Sequence, residues 1–462
     1  MQHPRPFPIL SALLLAAGAL AVSAQPAAES TARPAAEDFF DVVDVEIANI
    51  DVWVTDKKGN AIEGLGKDDF LVFRDGKPTE VTNFYAVAGG RPVTNDAEDE
   101  QSASGPREPS LDLGETAARV AEEHRLWMII YIDNFNIQAL ERNRIFPSLR
   151  HFIGRALRPG DQAMVVTYDR SLEVRQPFTD DIELLRIALD EIIDDSGFAA
   201  SRRRDLVSAL ERIDKSDDAR QALLYARSYA EERMNGVGYT ADALQRLIES
   251  LGGLSGRKAL VHVSSGVPMA AGEEAFHAVA EKFNVSEPYS EIPRHDNTRS
   301  FERINRHANA HRVAFYTVDA GGMRGLEFGN AEYAGFVDPD IRRTLDSIVP
   351  ENLQAPLRLM AIETGGRAIV NTNEILPALE KASQDFESFY SLGIASDSAE
   401  EGRYHKIEVK LKGGRKDLRL RHRAGYRSKT TDTRVRESLR SALLYSQQAN
   451  ADDIRVSWGR AE

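Results

Sequence analysis

From Arg125 to about Ile394, short apolar runs alternate with amphipathic stretches, and this restricts the fold more than any other property of the chain. The apolar runs are 127–132, 163–168, 259–263, 313–318, 368–370 and 389–394. Between them apolar residues recur at helical spacing over 143–157, 182–193, 219–234, 241–251, 301–310 and 376–386. Strands that are apolar on both faces need cover on both. The pattern therefore predicts an α/β fold, a doubly wound, mostly parallel, Rossmann-like sheet between layers of helices. Ligands of such sheets sit beyond the C-terminal strand ends. Asp133, Asp169, Ser265 and Asp319 fall at or just after those ends, with Asn134 and Asn136 following Asp133, so this edge is the expected binding edge. The helical stretch 182–234 is longer than an ordinary crossover and reads as an insertion near the same edge.

β structure is expected on both flanks. Residues 41–88 read as a small β domain, with Val43, Val45 and Ile47 alternating, then Ile50, Val52 and Val54. The parity change at Ala48-Asn49 predicts a bulge or break. Asp75-Gly76, between apolar runs 70–73 and 81–85, is a hairpin signal. Residues 89–122 lose periodicity and read as a linker. Residues 123–395 would form the α/β domain. Within 403–427, Ile407, Val409 and Leu411 alternate with charge, as do Leu418 and Leu420 after Gly413-Gly414. This predicts a two-stranded ribbon with a cationic face, and a lone ribbon is marginal in water. Residues 37–51 hold six acids and no Lys or Arg, so the expectation is that the ribbon docks on the N-terminal β domain in a sandwich-like module. A tail, 428–462, carries a helical pattern at 435–445 and a strand candidate at 454–456.

A chain of 462 residues is long enough for two or three cores. Its net charge of −14 argues against a general nucleic-acid binder. Arg5, the apolar run 9–22 and Val22-Ser23-Ala24 read as a signal peptide over 1–24, ahead of an Ala/Pro-rich, disordered leader over 25–40. The mature protein is then exported, to the periplasm or the cell exterior, with no transmembrane segment after cleavage. There is no cysteine, which excludes disulfides and thiol chemistry.

Several segments together resemble a known family. They are Val52-Trp53-Val54-Thr55-Asp56-Lys57-Lys58-Gly59-Asn60, Asp69-Phe70, Asp75-Gly76-Lys77, Arg257-Lys258-Ala259-Leu260-Val261, Phe315-Tyr316-Thr317-Val318-Asp319, Glu363-Thr364-Gly365-Gly366-Arg367, Tyr390-Ser391-Leu392-Gly393, Lys406-Ile407-Glu408-Val409-Lys410 and Ala424-Gly425-Tyr426. Their order is similar to the VWFA-related family of bacterial secreted proteins, in which a von Willebrand factor A (VWA)-like domain is flanked by β segments. The resemblance implies a metal site written Asp-x-Ser-x-Ser after the first strand, with a threonine from a neighbouring loop and a second aspartate after a later strand. Asp133 matches the first position and Thr240 the threonine, but Phe135 and Ile137 replace the serines and Ser265 replaces the second aspartate. Asn134 and Asn136 carry carbonyl oxygens, yet in an extended loop they would point away from the serine directions. Asp319 is a candidate compensating carboxylate.

Catalytic signals are thin. His307 and His311 have the i, i+4 spacing of zinc ligands without the accompanying glutamate or an obvious third ligand. His262, within an apolar strand, reads as a hydrogen-bonded core histidine, and Thr364-Gly365-Gly366 as a turn or helix end. The expectation is an exported, non-enzymatic VWA-like binding or scaffold protein with no cofactor. It would engage an unknown protein or an anionic envelope polymer at the strand-end edge. The alternative is adhesion through Mg²⁺ or Ca²⁺ held by Asp133 and Thr240, gripping an acidic partner residue.

Overall fold

The computed structural model describes residues 47–93, 125–195, 197–324, 328, 333, 335–395 and 402–445. The segments read from sequence as signal and leader, most of the acidic segment and of the expected linker, and the strand candidate at 454–456 lie outside these residues. The elements run in chain order: β1 (Ile47–Thr55), β2 (Phe70–Arg74), β3 (Lys77–Thr79), β4 (Val81–Ala88), β5 (Arg91–Val93), β6 (Leu126–Ile132), α1 (Ala139–Ala156), β7 (Gln162–Tyr168), β8 (Leu172–Thr179), α2 (Ile182–Glu191), α3 (Ala199–Asp214) and α4 (Ala219–Ser250). They continue with β9 (Arg257–Ser264), α5 (Glu273–Phe283), α6 (Thr298–Ala310), β10 (Val313–Asp319), α7 (Pro339–Thr364), β11 (Arg367–Ile369), α8 (Ile375–Glu387), β12 (Phe389–Ala395), β13 (Tyr404–Leu411), β14 (Arg419–His422), β15 (Gly425–Arg427) and α9 (Thr431–Tyr445).

A six-stranded sheet in the order β11-β10-β9-β6-β7-β8 forms the centre. It is parallel except for β8, which returns antiparallel beside β7. Every residue of β6 and β9 is buried because helices cover both faces. One face packs on Ile145, Phe146, Leu149, Leu185, Leu189 and Leu379 from α1, α2 and α8. The other packs on Val237, Leu244, Phe301, Ile304, Leu357 and Met360 from α4, α6 and α7. Strand order reverses between β6 and β9. That switch point is where sheets of this class open a crevice at their C-terminal ends.

Beside this unit stand two antiparallel sheets, β14-β1-β12-β4-β5 and β15-β13-β2-β3. Ile50, Val52, Phe70, Val72, Leu392, Ile407 and Val409 form their shared apolar core. Several expectations are corrected here. Residues 389–394, assigned to the α/β domain, form β12, which pairs with β1 and β4 instead. The ribbon is not a hairpin: β13 pairs with β2 and β15, while β14 pairs with β1 in the other sheet. The Asp75-Gly76 turn joins β2 to β3, since β4 has crossed to β12. Pairing of β1 with β12 runs unbroken from Ile47 to Val52, without a break at Ala48-Asn49. The helical stretch expected to end at 234 continues to Ser250 as one helix, α4. Among the described residues, no helix is long and apolar enough to cross a membrane.

Candidate functional site

Asp133 follows the last residue of β6, and its backbone N–H donates to the Val263 carbonyl of β9 at 2.9 Å. The carboxylate is fully buried at the switch point. A bare carboxylate there would be costly, so its lone pairs need partners. Asn136 Nδ2 donates to Oδ1 at 3.0 Å and to Oδ2 at 2.8 Å, and Ser264 Oγ donates to Oδ2 at 2.9 Å. The same Asn136 amide reaches Thr240 Oγ1 at 3.2 Å. A side-chain amide thus bridges the two residues expected to share a cation.

Two expectations change at this point. Asn136 does not point away, because 134–136 form a turn rather than an extended loop and the alternation of a strand does not apply. Thr240 is not on a loop. It lies inside α4, buried, and its hydroxyl donates back to the Gly236 carbonyl at 3.2 Å. Phe135 packs edge-on against Tyr168 (5.6 Å between centroids) and stacks on Phe198 (5.5 Å), while Ile137 is buried in the sheet core. The two residues at the serine positions are therefore anchors for the turn.

Asn134 is held by Arg142, a fully buried arginine of α1 that donates to its Oδ1 at 3.0 Å and to the carbonyls of Ile193 (3.1 Å) and Asp195 (2.9 Å). Burial holds the Arg142 guanidinium below its usual range, with Asp195 opposing. Ser265 donates to Glu141 Oε2 at 2.6 Å, so it faces α1, whereas its neighbour Ser264 serves Asp133. Asp319 does not act as a free compensating carboxylate. It accepts from the Gly321 N–H (2.9 Å), Arg324 Nη2 (2.9 Å) and Gln354 Nε2 (2.8 Å). Asp169 is exposed at the end of β7, and partial desolvation raises its carboxyl while Arg170 opposes.

His262 is fully buried beside this cluster, but neither ring nitrogen has a hydrogen-bond partner and Nε2 stands 3.6 Å from Asp133 Oδ2. The expected hydrogen-bonded histidine is thus a packed one, set edge-on to Tyr131 (5.2 Å). His307 approaches Glu249 at 3.6 Å, whereas His311 Nδ1 lies 3.1 Å from Lys429 Nζ, so the two imidazoles have separate partners. Among the described residues, no group of three or more His, Asp or Glu is arranged to hold a metal ion.

Residues that sequence reasoning missed complete the site. Arg202 of α3 donates to Asn136 Oδ1 and lies 3.6 Å over the Phe135 ring. Burial pushes its guanidinium down to about 9, with Arg233 adding and Asp133 opposing. Arg202, Tyr229 and Arg233 line two clefts, one of about 110 Å³ toward Ser265 and one of about 520 Å³ toward Phe198. The strand register, which the sequence does not show, explains the place of Ser264. Ile132 pairs with Val263, so the next residues along, Asp133 and Ser264, fall level with each other.

Fold and site together define a mixed α/β protein whose six-stranded, mostly parallel sheet carries a buried polar cluster at its switch point, alongside two antiparallel sheets. No protein-family model matches the sequence, and no curated protein matches it. Among solved structures it is similar in part to a conserved hypothetical protein, BatB from Bacteroides thetaiotaomicron. The identity is 12%, with 32% of this chain and 69% of that chain covered, at a TM-score of 0.15.

Proposed function

We propose that this is an exported, non-enzymatic VWA-like protein that binds a protein partner at the C-terminal strand ends without a metal ion. The observation that carries the reading is the Asn136 amide, which bridges Asp133 and Thr240 where the metal-dependent alternative needs a cation. A divalent ion would have to displace that amide and strip Ser264 from the carboxylate, with one formal ligand charge in return. The internal hydrogen bonds of Asp133, Ser264 and Asp319 also favour a rigid binding platform over a reacting centre.

The test has two arms. Mg²⁺, Ca²⁺ and Mn²⁺ are titrated by calorimetry into chelator-treated protein beside Asp133→Ala; the expected outcome is no saturable binding to either. A photoreactive residue is placed at position 169 on the strand-end edge, or at position 155 at the far end of α1. Cross-links to a partner are expected from 169 in the presence of chelator and not from 155. Saturable ion binding lost in Asp133→Ala would replace this reading with metal-dependent adhesion.

A further inference from the structure

Four side chains at the strand-end edge form one continuous stack. The Arg170 guanidinium lies 3.9 Å over Phe198, Phe198 stacks on Phe135 at 5.5 Å and 23°, and the Arg202 guanidinium lies 3.6 Å over Phe135. A stacked guanidinium keeps its in-plane N–H donors available for a planar, two-oxygen acceptor. Here those donors lack an anionic partner. Among the described residues, neither Arg170, Arg202 nor Arg233 forms an ion pair, and the hydrogen bond of Arg202 goes to a neutral amide oxygen. Arg233 Nε is buried with no acceptor. The site is also shaped around Arg202. A Cβ on Gly236 of α4 would lie 2.7 Å from its Nη2, so the glycine leaves room for the guanidinium.

Resting on the function proposed above, we infer that this cleft receives the carboxylate of an acidic side chain from the protein partner, with Arg202 as the fork that grips it. The cleft, about 520 Å³, is the size of a small-ligand site and takes one side chain with an apolar neighbour against Phe198 and Tyr239. Asp205 and Glu232 also line it, so three guanidinium groups face two carboxylates. The single positive charge left over suits one carboxylate better than a phosphate dianion or a polyanion, which requires an extended cationic track. In this arrangement the arginine supplies the positive charge that an adhesion metal supplies elsewhere.

The probe is the blocked dipeptide N-acetyl-Glu-Phe-amide, titrated into the full chain beside N-acetyl-Gln-Phe-amide and polygalacturonate. The Glu peptide is expected to bind at least about tenfold more tightly than the Gln peptide, with chelator making no difference. Arg202→Met should remove that preference. Gly236→Ala, which favours the helix yet crowds the guanidinium, should weaken the Glu peptide while the protein stays folded by circular dichroism. Equal affinity for the two peptides, no binding of either, or full affinity in both variants would overturn the inference. Polygalacturonate binding that outcompetes the Glu peptide would overturn it in favour of an acidic polymer. Failure of the peptide with cross-linking from position 169 intact removes the acidic ligand alone, whereas failure of both removes the binding edge as well.

Discussion

At the scale of single residues, a few buried polar groups and their partners set how this molecule responds to solvent, while others, such as the His262 ring nitrogens, are packed without a hydrogen-bond partner. His311 ends α6 with its ring 3.1 Å from the Lys429 ammonium, while Lys258 donates to its carbonyl at 3.1 Å. Burial first, then Lys429 and Lys258, push its imidazole from 6.5 down to about 2. The unfolded chain therefore takes up a proton near pH 6.5 that the folded chain refuses until far lower pH, so stability falls as pH drops below 6.5. The expected slope from this group is about 1.4 kcal/mol per pH unit. Urea unfolding of His311→Gln between about pH 6 and pH 5 should be flatter than the parent by that amount; identical slopes would exclude the effect. Little of this was legible beforehand, because the i, i+4 spacing of His307 and His311 carries no information about a lysine more than a hundred positions away.

Whole elements were legible where local patterning decides and obscured where it conflicts with a rule of thumb. β6 and β9 announce themselves as continuous apolar runs. α7 does not, because Pro350 and Pro356 interrupt its pattern, yet the helix runs from Pro339 to Thr364 on contacts with β10 and the neighbouring helices. β8 is hidden for a related reason. It is an exposed edge strand containing Pro177, and its pairing with β7 shifts register between Ala163 and Val165. The turn after α7 shows how tightly an element end can be specified. Gly365 closes the helix at a φ of 80°, and a Cβ on Gly366 would lie 1.9 Å from the Phe315 carbonyl oxygen of β10. Gly366→Ala should therefore cost about 1–3 kcal/mol in chemical denaturation by forcing backbones apart. Gly238→Ala in α4, where nothing lies within 4 Å, should be neutral or stabilise by up to about 1 kcal/mol. If the two variants are equally stable, close packing at the α7 end is not what holds that turn.

For the molecule as a whole, the α/β unit and the antiparallel sheets are tied together through α8. Asp385, buried, accepts from Arg367 at 2.7 Å and from Arg421 of β14 at 2.7 Å, while its backbone carbonyl accepts from the Trp53 indole of β1 at 2.8 Å. Two arginines of the cationic segment, Arg421 and Arg423, thus turn inward, while Arg403, Arg415, Arg419 and Arg427 stay exposed. Arg423 is buried and donates to the carbonyls of Asn309 and Asn49, and burial brings it down to about 10. An excised 119–400 fragment would keep β12 but lose β1, β4, Arg421 and Trp53. It should unfold at a clearly lower urea concentration than the full chain; equal midpoints would show that the antiparallel sheets contribute nothing to the α/β unit. Local periodicity was sufficient to read the α/β class, the strand-end edge and Asp133 at its centre, because burial on one or two faces writes a period of two or 3.6 directly into neighbouring residues. Which sheet β12 joins, and which groups answer Asp133 and Phe135, were decided by folding. Asn136 meets Thr240 across 104 positions, Ser264 meets Asp133 across 131, and Arg423 meets Asn49 across 374. Contacts of that range obey no local period, and only close packing with satisfied buried polar groups selects them.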